Sequence, residues 1–136
     1  MKWRGIGLNQ EMENILNAGM TGTPETKPAE RIVFLSSIRE RVKIALTYNQ
    51  VLTKDLYEEA ARAIERNKNC HLYLNGDLPY EAMSKYIKKA NKSGVSFTIV
   101  NRGDKTSPLG LVLASDTAID EPNIFVEDAR FKREMS

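Results

Sequence analysis

The sequence predicts an α/β fold on the border of α+β: a β-α-β-α-β-β core with a mixed four-stranded sheet, helices packed on it and a helical N-terminal extension. Three observations carry this. Apolar residues alternate with period two at four places, around Val42, Leu72, Phe97 and Leu111, as half-buried strands require. Apolar stripes with helical spacing separate the first three of these segments, and strands linked by helices usually run parallel with right-handed crossovers. Only a short polar link, residues 101–108, precedes the fourth, a length that allows an antiparallel hairpin.

The elements follow in order. Leu8, Met12, Ile15 and Leu16 form one helical stripe between Asn9, a cap, and Gly19, a stop. Residues 20–27, with Gly22 and Pro24, read as a loop, and Pro28 opens a short helix carrying Ile32, Val33, Phe34 and Leu35. Val42, Ile44 and Leu46 alternate with Arg41, Lys43 and Thr47 as the first strand. Thr53 caps the next helix, with Asp55, Glu58 and Glu59 at its positive end and Leu56, Ala60, Ala63 and Ile64 inward. Cys70, Leu72 and Leu74 mark the second strand, ended by Asn75-Gly76-Asp77. Pro79 begins a helix with Tyr80, Met83, Ile87 and Ala90 inward, and Gly94 stops it. Val95, Phe97 and Ile99 form the third strand, and Leu109, Leu111 and Leu113 the fourth, with Gly110 inside it. Beyond Ala114, residues 116–121 suggest a helical turn, residues 124–126 a docking segment and residues 127–136 a frayed, mixed-charge tail. The chain thus reads as one domain, with an extension (1–37), an α/β core (38–116) and a tail (117–136).

With 136 residues the chain suits one domain, and such a chain buries roughly two thirds of its unfolded surface, enough for a core without staples. Twenty basic residues against eighteen acidic give a net charge of +2, too small for a general attraction to nucleic acid or acidic lipid. Cys70 is the only cysteine, which excludes an intrachain disulfide. The N-terminus has no apolar leader stretch. Both features point to a reducing, cytoplasmic setting and to no membrane partner. A single histidine and a single cysteine argue against a zinc site, and no cofactor is implied.

Residues 19–24 (Gly-Met-Thr-Gly-Thr-Pro), then Lys27-Pro28-Ala29-Glu30 and Phe34-Leu35, resemble the opening of the YueI-like family of small bacterial proteins of uncharacterised function. So does Arg39-Glu40-Arg41-Val42 leading into the first strand. The resemblance extends from about residue 16 to about residue 114. It implies a fold like that of Bacillus-type chorismate mutase, in agreement with the element order from periodicity. It carries over no catalytic residue and does not imply mutase activity.

Three places suit a site. The first is the crevice at the strand carboxyl ends, where open α/β sheets bind ligands. Asn49, Asn75, Asp77, Asn101, Arg102 and Asp104 cluster there in sequence; Arg102 would hold an anionic group and Asp77 or Asp104 would handle protons. The same residue types also simply end strands and make turns. The second is a stripe of Lys85, Lys88, Lys89 and Lys92 on the helix over 79–93, which suits weak, salt-sensitive RNA binding or merely solvates a helix face. The third is Arg39, Arg41 and Lys43 around the first strand, which guard an edge against aggregation, bind an anion or line an oligomer interface.

Cys70 and His71 are adjacent on a strand and point to opposite faces, so they cannot form a nucleophile–base pair. No nucleophile-elbow or dinucleotide motif is present. One sheet face, with Arg41, Lys43, Thr47, His71, Tyr73, Ser96 and Thr98, is polar and needs cover from the N-terminal helices, from a partner, or from neither. The leading expectation is a non-catalytic binding or interaction domain that forms a homo-oligomer or binds an unknown protein or small polar ligand. RNA binding through the lysine helix and a small-molecule enzyme at the strand ends are the alternatives.

Overall fold

The computed structural model describes residues 27–101 and 107–135. The helix expected around Leu8 to Leu16, and Arg102 and Asp104, lie outside them. The elements are α1 (Lys27–Val33), a 3-10 turn (Arg39–Arg41), β1 (Val42–Thr47), α2 (Tyr48–Leu52), α3 (Glu58–Arg66), β2 (Cys70–Asn75), α4 (Tyr80–Ser93), β3 (Phe97–Val100), β4 (Leu109–Ser115) and α5 (Ala129–Met135). The four strands form one mixed sheet in the order β1-β4-β2-β3. β4 runs antiparallel to both β1 and β2, while β2 and β3 are parallel.

The hairpin that the short link allowed between β3 and β4 is not formed. β4 crosses β2 and inserts between β1 and β2, where every one of its residues is buried. Its continuous run Leu-Gly-Leu-Val-Leu-Ala-Ser is what a strand covered on both faces needs. Gly110 allows a close approach there: a Cβ at this position would lie 2.8 Å from Val51 Cγ2 and 3.1 Å from Tyr48 Cα, so α2 sits directly on β4.

Two apolar layers sandwich the sheet. On the first, Ile44, Leu46, Leu72, Leu74, Leu111 and Leu113 meet Ala60 and Ile64 of α3 and Met83, Tyr86, Ile87 and Ala90 of α4. On the second, Val42, Ala45, Val112 and Ala114 meet Val33, Phe34, Leu35 and Ile124. Register shifts in β1, between Val42 and Ile44 and between Leu46 and Thr47, break its strict alternation, because a bulge turns the following side chains to the other face. Val42 therefore packs on the second face, opposite to Ile44. The second face is covered over β1 and β4. Over β2 and β3, His71 and Tyr73 remain half-buried and Thr98 exposed.

Local signals explain most element ends. Thr47 and Gln50 form a capping box, Gln50 N–H donating to Thr47 Oγ1 (3.2 Å) and Thr47 N–H to Gln50 Oε1 (2.9 Å). Such a cap contributes about 1 kcal/mol and starts α2, which the alternation pattern did not foretell. Thr53 closes α2 instead of opening α3, which begins only at Glu58 and leaves Leu56 partly exposed. α4 lies between Pro79 and Gly94 as expected, with Gly94 left-handed at φ 75°. Its Tyr80 is 68% exposed, not inward, and Tyr86 takes the buried place. Residues 116–121 form no helical turn.

The C-terminal residues correct a further expectation. Instead of fraying, they fold into α5, and Phe131 is buried beside Phe125, with ring centroids 5.3 Å apart. Ahead of it, Ala45 N–H donates to Ile124 O at 2.7 Å, and Phe125 makes a parallel bridge to Ala45 along the outer edge of β1.

Candidate functional site

Because β1 and β2 both run antiparallel to β4, and β3 runs parallel to β2, the carboxyl ends of β1, β2 and β3 lie at one end of the sheet. The side chains expected to converge there do not all do so. Asn75 is buried and turned inward: its Nδ2 donates to Leu109 O (3.0 Å) and Ser107 O (3.4 Å), and its Oδ1 accepts from Asp77 N–H (2.9 Å). It fixes the start of β4 and the turn after β2. Asp77 is exposed, and its carbonyl accepts from Tyr48 Oη–H at 2.8 Å. Asn101 is exposed beside Gly76, where an added Cβ would strike its side chain.

Asn49 opens onto a sizeable cleft. This space, of about 770 Å³, lies between α2 with its following loop and α5, and is lined by Asn49, Leu52, Thr53, Lys54, Asp55, Arg130 and Arg133. Three cationic side chains and one carboxylate share its lining. Leu52, 40% exposed, adds an apolar contact. A planar guanidinium binds carboxylate or phosphate oxygens in pairs, so the chemistry of the lining suits a small anion.

Asp128 fixes the α5 wall of the cleft. It precedes the helix, and its Oδ1 accepts from Phe131 N–H (2.9 Å) and Gln50 Nε2 (3.1 Å). The Tyr57 hydroxyl donates to its other oxygen, and Gln50 Nε2 also donates to Val126 O at 2.8 Å. Burial alone would raise the Asp128 pKa, but the hydrogen bonds from Tyr57, Phe131 and Gln50, together with the nearby Arg130, hold it below the ordinary value. Burial and the same bond raise the pKa of Tyr57.

The opposite wall is braced by Lys85, whose ammonium donates to Val51 O (2.8 Å) and Thr53 O (2.5 Å) at the end of α2. A cation suits the negative carboxyl end of a helix, and burial lowers its pKa. The lysine stripe is therefore not four equivalent cations. Lys85 serves the fold, Lys89 pairs with Glu65, whose pKa that bond lowers, and Lys88 and Lys92 are exposed.

Arg39 is buried. It donates from Nη2 to Glu121 O (2.7 Å) and accepts the company of Glu30, whose Oε1 receives its backbone N–H (2.9 Å). Burial lowers its pKa against the pull of Asp120, Glu121 and Glu30. Lys43 pairs with Glu121 at 3.0 Å. These contacts tie the segment after β4 to the start of β1. Cys70 is a buried thiol on the first face, its pKa raised by burial. His71 Nε2 and Thr98 Oγ1 are hydrogen-bonded at 2.7 Å on the second. Among the described residues, no group of three or more His, Cys, Asp or Glu side chains is placed to hold a metal ion.

Reasoning from the sequence missed Lys54, Arg130 and Arg133 as cleft residues. The available signal was Asp128, an N-cap residue three positions before Phe131, which marks the tail as a helix and sets Arg130 and Arg133 on one side of it.

Residues 9–125 match the family described as "Protein of unknown function (DUF1694)". A Bacillus subtilis (strain 168) relative described as "Uncharacterized protein YueI" is 42% identical over 125 residues, covering 92% of this chain and 95% of that protein. The crystal structure of the YueI protein from Bacillus subtilis superposes with a TM-score of 0.81 at 41% identity, covering 94% of this chain and all of that one. Among the described residues no helix is long and apolar enough to cross a membrane. The mixed four-stranded α/β architecture is thus shared with YueI, and the chain belongs to the DUF1694 family of YueI-like proteins.

Proposed function

We propose that this protein is a binding domain for a small anionic ligand, held without chemical conversion in the cleft between α2 and α5. The observation that carries this is the set of Lys54, Arg130 and Arg133 around a space of about 770 Å³ with Asp55 as the single carboxylate. Its place supports the reading, since Asn49 and α2 directly follow the carboxyl end of β1, the end at which open α/β sheets take ligands. Binding is favoured over catalysis because Thr53, the hydroxyl of the lining, is engaged with Gln50 O at 2.8 Å, and Asp55 has no partner base in the lining to share a proton with.

Calorimetric titration with inorganic pyrophosphate tests this. The full chain should bind with an affinity that falls as salt is added. Arg130→Ala with Arg133→Ala should weaken it by about 10-fold or more, since each charge-assisted contact contributes on the order of 1.5–3 kcal/mol. Lys88→Glu with Lys92→Glu should leave it unchanged. Absence of pyrophosphate binding, or equal binding by the arginine variant, removes the cleft as the site. RNA retention abolished by the lysine pair and untouched by the arginine pair would place function on α4 instead.

A further inference from the structure

The two edges of the sheet are treated differently. β1 carries two register shifts and the charged Lys43, and the Ile124–Phe125 segment lies along its outer side. These are the usual devices that stop a sheet edge from recruiting another strand. β3, at the other edge, has none of them among the described residues. Its sequence Phe-Thr-Ile-Val contains no charge, no proline and no bulge, and Thr98 and Ile99 are exposed.

The direction of its hydrogen bonds decides what can be added. Leu72 N–H donates to Ser96 O and Gly76 N–H to Val100 O, both at 2.9 Å. Alternate residues 96, 98 and 100 therefore turn their main chain toward β2. Phe97 and Ile99 turn theirs outward, where no strand pairs with them among the described residues.

We propose that β3 is a self-association edge on which a second copy of this chain adds its own β3 antiparallel, joining two four-stranded sheets into one of eight. The strand is self-complementary about Thr98. With Thr98 on the two-fold axis, Phe97 of each copy faces Ile99 of the other as a hydrogen-bonded pair, and the two Thr98 residues meet as the close, non-bonded pair. Both outward N–H and both outward C=O groups of each strand are then satisfied. An aromatic residue meets a β-branched one on the helix side of the sheet, a favourable cross-strand pairing. On the other side Thr98 is already oriented by its 2.7 Å bond to His71. No charge faces a like charge within the strand. The α2/α5 cleft adjoins the far end of the strand order, on the β1 side, so the pairing leaves it open.

Sedimentation velocity on the full chain between about 1 μM and about 1 mM, the range in which small interfaces associate, should show a monomer–dimer equilibrium. Ile99→Lys should raise the dissociation constant by about 10-fold or more by setting charge into the edge. Ile99→Pro should do the same, because it removes only an outward N–H and leaves the β2–β3 ladder intact. Thr98→Cys should form an intermolecular disulfide under mild oxidation, since close antiparallel pairs fall within disulfide reach; the parent chain, with Cys70 buried, should not. A monomer over the whole range, association that survives both Ile99 substitutions, or folded Thr98→Cys protein that does not cross-link would each overturn the proposal.

Discussion

Replacing Asp128 by alanine removes three contacts at once: the acceptor for Phe131 N–H at 2.9 Å, the acceptor for Gln50 Nε2 at 3.1 Å and the partner of the Tyr57 hydroxyl. Loss of the helix cap costs about 1 kcal/mol, and each of the two side-chain bonds adds about 1 kcal/mol at a half-buried site. The expected destabilisation is about 2–3 kcal/mol, read from the urea midpoint. It should be concentrated in α5, so amide exchange at Phe131 and Lys132 should accelerate more than exchange in β4. Asp128→Asn, which keeps the cap, should recover part of the loss.

The pH dependence has a defined sign. The folded pKa of Asp128 lies below its ordinary value: burial opposes ionisation, and the bonds from Tyr57, Phe131 and Gln50 outweigh it. The stability it contributes is therefore present above the unfolded value of about 3.9 and is lost as pH falls through the lower folded value. Asp128→Ala should flatten that acid limb. A change below about 0.5 kcal/mol, the level of an ordinary surface substitution, or exchange in α5 no faster than in the parent protein, would refute the claim that Asp128 docks the helix.

Two further outcomes concern the core. Gly110→Ala should destabilise by about 1–3 kcal/mol through overpacking, since its Cβ would lie 2.8 Å from Val51 Cγ2 and 3.1 Å from the α2 backbone at Tyr48; a neutral urea midpoint would show that α2 can lift off β4. Tyr86 is fully buried, and burial pushes its phenol up to about 12 from 10.0. The folded state then holds a proton that the unfolded state releases, so stability should be complete below pH 10 and fall as pH rises toward 12. Phenolate absorbance should show one tyrosine titrating only with unfolding, and Tyr86→Phe should remove that component.

Where a signal is local, the chain announces its own structure. Pro79 and Gly94 bound α4 because proline suits a helix start and a left-handed residue ends one. The alternation in residues 70–74 gives β2 with Cys70 inward and His71 outward. The capping box of Thr47 and Gln50 is a local signal too, but it lies directly against a strand, and the period-two pattern masked the short helix it begins. In β1 the register shifts that send Val42 and Ile44 to opposite faces depend on pairing with β4, 62 to 72 residues away, and no spacing within β1 encodes them.

The candidate cleft follows the same division. Asn49 was visible as a strand-end residue, whereas Lys54, Arg130 and Arg133 acquire a common purpose only because Asp128 and Phe131 bring α5 against Gln50 and Tyr57. Asn75 was an equally good candidate on composition, and the insertion of β4 beside β2 turned it into an internal brace. The sequence by itself determined the four strands, the helix between Pro79 and Gly94, the mixed α/β class and the family, since these rest on periodicity, caps and residue identity along the chain. Only the tertiary structure decided the strand order, the cover of the second sheet face and which charges stand together, because each depends on contacts between segments that no local pattern links.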